Sequence, residues 1–476
     1  MLTIRNLTMN YGGQTLFEEA DLTLNWGERV ALVGPNGSGK STLFHIVLGD
    51  EIPDSGKVER DEFAHVGYLS QEAGDPGEET ALQIATAINP EMRGVQRTMR
   101  KHEAAGTLDS EDYAEAQDKF TLMNGFQLEP KAKKILAGLG FRQEDFDRTA
   151  RELSGGWVMR AHLAQILCLE PDLLMLDEPT NHLDLLSLLW FQRYLQNYPG
   201  AILMISHDRD FMDAIAESVV EIDEQKFITY QGDYSNYLVE REKRYEQKVA
   251  AHRNQKKEID RVQEFIDRFR SVSSKASQVQ SRVKHLEKMK ILEKPRAPRK
   301  VFKFHFPNPP RSNQKVIELQ KVSQSYGKTR VYQGLDLEIE RGDRTVLVGP
   351  NGSGKSTLLK ILAGLVPIDG GERKVGYATK LGYYSQHRSE LLDENKTVLE
   401  EICTTGAGLR EEEGRGLLGS FLFRRDDVHK KVKVLSGGEK SRLNLVKFLV
   451  DPPNLLLMDE PTTHLDLLSV EALIQA

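Results

Sequence analysis

The chain has 476 residues, of which 39% are hydrophobic and 28% are charged, with a net charge of −7. This length allows two or three domains, each with its own core. The sequence has no run of about 18 apolar residues, so we expect no membrane span. Two cysteines, Cys168 and Cys403, are too few for a disulfide framework or a cysteine-based zinc site. The N-terminus lacks the features of a signal peptide, and we expect a cytoplasmic protein.

The sequence contains a long internal repeat. VALVGPNGSGKSTL at 30–43 returns as TVLVGPNGSGKSTL at 345–358, and LSGG and an acidic DEPT motif also recur. The glycine-rich stretches lie 315 residues apart, whereas the later motifs lie 282 apart. A duplicated domain explains the repeat, and the 33-residue difference predicts an insertion in the first copy, at about 85–133. We expect this insertion to form two antiparallel helices that project roughly 24 Å.

Each copy carries a glycine-rich loop after an apolar run that predicts a strand. GPNGSGKS fits the P-loop pattern, whose backbone N–H groups cradle phosphates while its lysine reaches the β/γ-phosphates and its serine binds Mg²⁺. One such match could be an accidental turn, but two matches with the same later motifs exclude that alternative. The predicted ATP-binding residues are Gly34, Pro35, Asn36, Gly37, Ser38, Gly39, Lys40, Ser41, Thr42, Gly349, Pro350, Asn351, Gly352, Ser353, Gly354, Lys355, Ser356 and Thr357.

A buried strand is predicted at 173–177, and two acidic residues end it. Asp177 is expected to hold Mg²⁺ together with Ser41, and Glu178 is placed to polarise the attacking water as a general base. Asp459 and Glu460 repeat the pair, so Asp459 and Ser356 form the second predicted metal site. A solvated turn is the alternative, which the two P-loops disfavour. The predicted reaction is hydrolysis of ATP to ADP and phosphate.

These motifs, with Gln71, Gln386 and His207, resemble the ATP-binding cassette superfamily. The resemblance implies an α/β fold with two tandem P-loop cassettes, joined by an α-helical hairpin linker, and ATP with Mg²⁺ as ligands. Gln71 and Gln386 resemble the family's Q-loop glutamine, near Mg²⁺ and water. His207 resembles the switch histidine that contacts the γ-phosphate, and a plain surface histidine is its alternative.

LSGG resembles the family's signature motif, which begins a helix and so offers backbone N–H groups to an anion. In the family two cassettes bind head to tail, and the signature of each covers the ATP held by the other. By resemblance Ser436 closes over the ATP on Lys40, and Ser154 closes over the ATP on Lys355. The signature residues are Ser154, Gly155, Gly156, Ser436, Gly437 and Gly438. The next position, commonly Gln in transporters, is Trp157 in the first copy and Glu439 in the second.

Three further features of the sequence predict parts of the ATP sites or of the fold. Tyr11 and Tyr326, each followed by glycine, resemble the aromatic residue that stacks on adenine, with an aromatic packed in a sheet as the alternative. Asp184 resembles the family's D-loop aspartate. The second copy has no counterpart of His207 before residue 476, so we expect that cassette to be C-terminally truncated.

A linker separates the copies and divides the chain into cassette 1 (1–238), a basic linker (239–305) and cassette 2 (306–476). Two apolar stripes at helical spacing flank the serine-rich 271–277, which predicts a helical hairpin with its tip there; a single long helix is the alternative. Residues 268–300 carry a net charge of +9, so the remainder carries −16. A basic prong on an acidic body indicates a polyanion partner, although a solvated linker would also be basic. The predicted RNA contacts are Arg268, Arg270, Lys275, Arg282 and Lys284.

The insertion, the charged linker and the lack of a membrane domain resemble the F subfamily, the soluble ribosome-associated ATPases. SGGW and the linker at 265–289 are most similar to its YheS-like branch. The resemblance covers essentially the whole chain and implies binding to rRNA at the ribosomal E site, with the hairpin directed at the P-site tRNA and peptidyl-transferase region. Members act as translation factors or antibiotic-resistance proteins. The rival is the ATPase subunit of a membrane transporter. A DNA-repair ATPase would carry zinc cysteines or very long coiled coils, and neither is present.

Overall fold

A computed structural model describes residues 1–35, 37–70, 77–181, 183–270, 275–295, 297, 304–327, 329–384, 392–406, 409–421, 423, 425–462, 465 and 467–475. The chain is a mixed α/β protein, as the sequence predicts. None of the helices in these ranges combines the length and the apolar character that crossing a membrane requires.

The first copy is built on a six-stranded sheet. Its strands, with those of a smaller sheet beside it, are β1 (Leu2–Tyr11), β2 (Gln14–Leu24), β3 (Arg29–Val33), β4 (Ser55–Arg60), β5 (Val66–Leu69), β6 (Leu173–Asp177), β7 (Ala201–Ile205), β8 (Ser218–Asp223) and β9 (Lys226–Gln231). The main sheet has the order β5-β6-β7-β3-β8-β9, parallel except for β9, and the smaller antiparallel sheet has the order β2-β1-β4.

The strands β6 and β7 are buried on both faces, which explains why they read as continuous apolar runs. Successive side chains point to opposite faces of the sheet. Leu174 and Leu176 therefore join a core shared with the helices, while Leu173 and Met175 join a second core beneath β1 and β2. The sheet is thus the middle layer between two hydrophobic cores.

The helices of the first copy are α1 (Lys40–Leu48), α2 (Ala81–Thr86), α3 (Pro90–Ala105), α4 (Glu111–Leu122), α5 (Gly125–Gly138), α6 (Gly155–Leu169), α7 (Leu185–Gln196) and α8 (Arg209–Ile215). Two of them, α3 and α4, lie within the predicted insertion at 85–133. Asn89 caps the start of α3 through a 2.7 Å bond from Met92 N, and Gly106 ends it at φ 66°. The second helix, α4, has 12 residues and is shorter than the roughly 16 residues that a projection of about 24 Å requires.

The linker forms two helices, α9 (Tyr234–Phe269) and α10 (Ala276–Lys288). They pack side by side, with the Arg282 guanidinium 4.4 Å from the Phe265 ring. Nearer the base, the Gln255 side chain donates to Lys290 O at 2.8 Å and accepts from Leu292 N at 2.7 Å. These contacts describe a hairpin rather than one long helix; 271–274 of its proposed tip lie outside the described residues. We call 255–292 the prong.

The base of α9 lies inside the range assigned to cassette 1, because the helix begins at Tyr234 and runs through residue 238 without a break. Glu221 on β8, only 4% exposed, anchors it. The Glu221 carboxylate accepts from Tyr237 OH at 3.0 Å and Tyr230 OH at 3.1 Å, and Arg241 Nε lies 2.7 Å away. Burial raises the pKa of Glu221, while Arg241 and the tyrosine hydroxyls favour its charged form.

The second copy contains β10 (Lys315–Tyr326), β11 (Thr329–Glu340), β12 (Gly370–Val375), β13 (Leu381–Tyr384) and β14 (Leu455–Met458), with α11 (Lys355–Ala363), α12 (Val398–Cys403), α13 (Glu411–Ser420), α14 (Gly437–Val450) and α15 (Leu467–Gln475). Its apolar run at 345–348, expected to be a strand like β3, has no strand structure. Val346 is 82% exposed and Val348 is 72% exposed. In the first copy β7 and β8 pair with β3 on either side. Among the described residues, no strand pairs with 345–348 in this way.

The Glu221 anchor generates a stability prediction. Tyr237→Phe removes one donor from a buried carboxylate and should lower the free energy of unfolding by about 1–3 kcal/mol. Tyr245→Phe, on the same helix, is the matched control, because among the described residues the Tyr245 hydroxyl makes no hydrogen bond. Urea unfolding of both variants measures the difference, and equal midpoints for the two would contradict an anchoring role.

Candidate functional site

The loop after β3 can take its shape because of glycine. Gly39 caps α1 at φ 94°, and a Cβ there would lie 2.8 Å from Phe17 Cζ, so both backbone conformation and space require glycine. The helix starts at Lys40, whose ammonium donates to Gly34 O at 3.0 Å and Pro35 O at 3.2 Å. The loop therefore holds the lysine against its own backbone, at the start of a helix.

The second loop repeats this arrangement, although no strand precedes it. Gly354 caps α11 at φ 96°, and a Cβ there would lie 2.6 Å from Val331 Cγ1. Lys355 Nζ donates to Gly349 O at 2.7 Å and Pro350 O at 2.9 Å. The loop geometry is thus set locally, by glycine and the helix start.

Ser41 and Asp177, which the sequence assigns to Mg²⁺, lie together. The Ser41 hydroxyl donates to Asp177 Oδ2 at 2.9 Å. Asp177 is 4% exposed; burial raises the pKa of its carboxyl, and the Ser41 bond opposes this shift. A hydroxyl beside one carboxylate fits Mg²⁺, which takes oxygen ligands and completes its shell with phosphates and water. Accordingly, the described residues contain no group of three or more His, Cys, Asp or Glu side chains that could enclose a metal.

Glu178 follows Asp177 and is held in an unusual conformation. Its backbone is left-handed at φ 51°, a strained conformation that is commoner at functional sites. Its side chain is 8% exposed and contacts His207 twice, accepting from His207 N at 3.2 Å and lying 3.3 Å from His207 Nε2. Burial, and then the charge of Asp177, raise the pKa of Glu178 to about 8. The predicted general base and the predicted γ-phosphate-contacting histidine are therefore in contact with each other.

The second copy assembles these groups differently. Glu460 has the same left-handed backbone, at φ 47°, but it is exposed, while Asp459 is 7% exposed. Among the described residues no hydrogen bond joins Ser356 to Asp459. The pairing between P-loop serine and strand-end aspartate is thus formed only in the first copy.

A cavity of about 1530 Å³ joins the two copies. One wall contains Lys40, Glu178 and His207 of the first copy, and the other contains Ser436 and Glu439 of the second. The P-loop of one copy thus faces the signature motif of the other, which is the head-to-tail arrangement expected by resemblance. The volume exceeds the roughly 300–1000 Å³ of a typical ligand pocket.

A second connection between the copies passes through Asp184. Its Oδ2 accepts from Asn351 N in the second P-loop at 3.1 Å and from both terminal nitrogens of Arg160 at 3.3 Å. Its Oδ1 accepts from Ser187 N at 3.0 Å and caps α7. Arg160 is 1% exposed and was not among the predicted residues. Arg442 stands 282 positions later, so the internal repeat itself could have revealed it.

The remaining predicted residues fall into three groups. Tyr11 and Tyr326 end β1 and β10 and are 60% and 49% exposed, so neither ring is packed within its sheet. Ser154 precedes α6, and Ser436 precedes α14. Predicted positions outside the described residues are Asn36, Gln71 and Gln386.

The basic side chains of the prong differ in their surroundings. Arg268, Arg270 and Lys284 are exposed. Lys275 Nζ donates to Gln278 Oε1 at 3.3 Å, and Arg282, although exposed, stacks on the Phe265 ring. Within the part of the chain that the structure describes, three of the five predicted RNA-binding residues are therefore exposed positive charges without such intramolecular contacts, while Arg282 also joins the two helices.

The sequence matches known protein families and known proteins over most of its length. Residues 17–181 and 332–463 match the family described as ABC transporter, and residues 220–304 match an associated extension with the same description. The chain is 37% identical over 481 residues to "Probable ATP-binding protein YheS" of Escherichia coli strain K12, covering all of this chain and 74% of that protein. "ABC transporter F family member 5" of Arabidopsis thaliana is 37% identical over 487 residues, with 99% of this chain and 70% of that protein covered.

Other matches have lower identity. "Probable ATP-binding protein YbiT" of Escherichia coli O157:H7 is 33% identical over all of this chain and 91% of that protein. The solved structure "Dimeric Structure of MJ0796, a Bacterial ABC Transporter Cassette" is 18% identical with a TM-score of 0.36, covering 48% of this chain and 98% of that one. A TM-score this low supports no further conclusion.

The raised pKa of Glu178 predicts how stability depends on pH. With a pKa of about 8 when folded and an ordinary value of 4.5, the folded state holds an extra proton between these values. The free energy of unfolding of the nucleotide-free protein should therefore fall with rising pH, by at most about 1.4 kcal/mol per pH unit from this group. Glu178→Gln cannot titrate, so its stability relative to the parent should increase across this window. Unfolding curves at several pH values measure this, and a pH-independent difference would refute it.

Proposed function

Because the chain belongs to the F subfamily of the ATP-binding cassette proteins and hydrolyses ATP, we propose that it is a cytoplasmic translation factor. It binds the ribosome at the E site and uses ATP-driven closure of its cassettes to direct the prong at the P-site tRNA and the peptidyl-transferase region. Relief of stalled translation and protection against antibiotics are both outcomes of such an action.

The observation that carries this proposal is the prong. It is a folded hairpin, braced by Gln255 at its base and by Arg282 against Phe265, and it carries exposed positive charge on an acidic protein. From Gln255 to Phe269 the helix rises by about 21 Å at 1.5 Å per residue. A rigid basic projection suits contact with RNA phosphates, whereas a loose tether would need no such bracing.

ATP supplies the energy for closure. The cavity between Lys40 and Ser436 is wide, and a triphosphate bound to Lys40 would offer its γ-phosphate to the start of α14. Ser41 and Asp177 would hold Mg²⁺, which would neutralise charge on the phosphates. Glu178 then orients and deprotonates the attacking water, and His207 holds the Glu178 carboxylate.

The rival function is the ATPase subunit of a membrane transporter. Cell fractionation distinguishes these two functions. A translation factor should sediment with ribosomes in the presence of ATP when ATP hydrolysis is blocked. Recovery with membranes, and not with ribosomes, would favour the rival.

The role of Glu178 generates a catalytic prediction. In a Lys355→Ala background, where only the first site can act, Glu178→Gln should retain ATP binding and lose about 10²–10⁴-fold in hydrolysis rate, as expected for removal of a positioned base. Lys40→Ala is the contrasting variant, because it should weaken ATP binding itself. Steady-state phosphate release and equilibrium ATP binding measure both effects. Hydrolysis at the parental rate by Glu178→Gln would show that another group is the base.

The prong generates a salt-dependence prediction. Arg268, Arg270 and Lys284 are exposed and take no part in bracing, so replacing all three with alanine should remove phosphate contacts without unfolding the hairpin. Ribosome affinity should fall, and the slope of log affinity against log salt should decrease by roughly 0.7–0.9 for each phosphate that is no longer neutralised. Cosedimentation at several salt concentrations measures this slope.

The matched control for the prong is Arg253→Ala, Lys256→Ala and Lys257→Ala. These residues are exposed on α9 near the Gln255 clamp, about 18–24 Å along the helix from its last residue, Phe269. The control variant should change ribosome affinity and its salt dependence much less than the variant of Arg268, Arg270 and Lys284 does. If both triple variants lower ribosome affinity equally, the prong acts as a diffuse positive charge and not through specific contacts. If neither variant changes ribosome affinity, the prong does not contact RNA.

A further inference from the structure

The two signature motifs differ in a residue that acts directly on the signature serine. Both serines precede a helix, and the third residue of that helix is Trp157 in α6 and Glu439 in α14. This position lies one turn into the helix, where a side chain can reach back to the capping residue. The difference therefore changes how each motif presents its serine.

Glu439 binds Ser436 in three ways. Its Oε2 accepts from the Ser436 hydroxyl at 2.8 Å and from the Ser436 backbone N–H at 2.8 Å, and the Glu439 N–H donates to the Ser436 hydroxyl oxygen at 3.3 Å. A serine hydroxyl has a single proton to donate. While that proton is directed at Glu439, the Ser436 hydroxyl cannot donate to a phosphate oxygen.

Trp157 makes no side-chain hydrogen bond with Ser154 like those between Glu439 and Ser436 among the described residues. Its ring packs on Phe141, with the centroids 4.7 Å apart, and lies 4.6 Å below the Arg160 guanidinium. Ser154 makes no side-chain capping hydrogen bond. The first signature thus carries no acidic group at this position, and its serine hydroxyl is not engaged in a cap.

Glu439 also lies where its charge matters. Glu439 and Ser436 line the same cavity as Lys40 and Glu178. In the proposed function this cavity holds a triphosphate, so a carboxylate on the opposing wall repels the ligand and weakens the attraction between the phosphates and the start of α14. Both effects of Glu439, on the serine proton and on the local charge, oppose closure at this site.

We propose that Glu439 is a positioning residue that restrains the site at Lys40. It holds the Ser436 hydroxyl until the γ-phosphate displaces it, so this site binds ATP more weakly and closes later than the site at Lys355, whose proposed covering signature carries Trp157. The inference rests on the proposed closure of each signature over the ATP of the opposite cassette. Because it concerns ATP alone, it is independent of the ribosome.

The test measures the ATP dissociation constant, without ribosomes, in protein carrying Glu178→Gln and Lys355→Ala. Glu439→Gln keeps an acceptor for Ser436 and removes the charge, and we expect about tenfold tighter ATP binding, equivalent to about 1.4 kcal/mol. Glu439→Ala should also tighten binding, even if loss of the cap lowers the thermal midpoint. If both variants bind ATP at the parental affinity or more weakly, Glu439 is only a helix cap and the proposal fails.

The converse experiment introduces the acid into the first signature. In protein carrying Lys40→Ala and Glu460→Gln, Trp157→Glu should weaken ATP binding relative to Trp157→Gln, which loses the same packing without adding charge. Equal affinities for these two would contradict the proposal.

Ser436→Ala separates this inference from the composite site on which it rests. If Ser436→Ala leaves ATP affinity at Lys40 unchanged, the serine does not cover that ATP and both ideas fail. If Ser436→Ala weakens binding while the Glu439 variants have no effect, the composite site stands and only the restraint is wrong.

Discussion

Three neighbouring parallel strands, β6, β7 and β3, bring the functional groups of the first site to one edge of a sheet. Their hydrogen-bonded registers align the carboxyl ends, so Asp177, His207 and the loop at Gly34 follow adjacent strands and meet in space. The buried sheet, with a core on each face, makes these positions rigid. A rigid edge is what allows Glu178 to be kept in a left-handed conformation beside a second carboxylate.

Motif spacing predicts this site well, because its chemistry depends on residues next to strand ends. A strand ending in two acids, and a histidine after the next apolar strand, are visible in one dimension, and parallel pairing converts them into a cluster. The two different repeat offsets likewise predict the position of the insertion that forms α3 and α4. Such inferences need only the chain order and the period of the apolar residues.

Other features depend on pairing that no local pattern records. The run at 345–348 stands where β3 stands in the first copy, yet it forms no strand, so an apolar pattern alone does not decide strand formation. Arg160 recurs as Arg442 in the repeat, but only the fold shows that Arg160 is buried and bonded to Asp184. The sequence pattern of serine followed three positions later by glutamate predicts a capping box at Ser436. It does not predict that the Ser436 hydroxyl donates its proton to Glu439, which depends on the side-chain conformation.

The prong and the first P-loop share one structural element, β8. On one side, Glu221 of β8 holds the base of α9 through Tyr237 and Arg241. On the other, β8 pairs with β3, and a Cβ on Gly34 would lie 3.3 Å from Ile222 Cβ. Since packed interiors transmit displacement rather than absorb it, the start of the prong cannot tilt without shifting the strand that supports the loop. The direction of the prong and the geometry around Lys40 are therefore constrained by the same few contacts, which lie far from the tip.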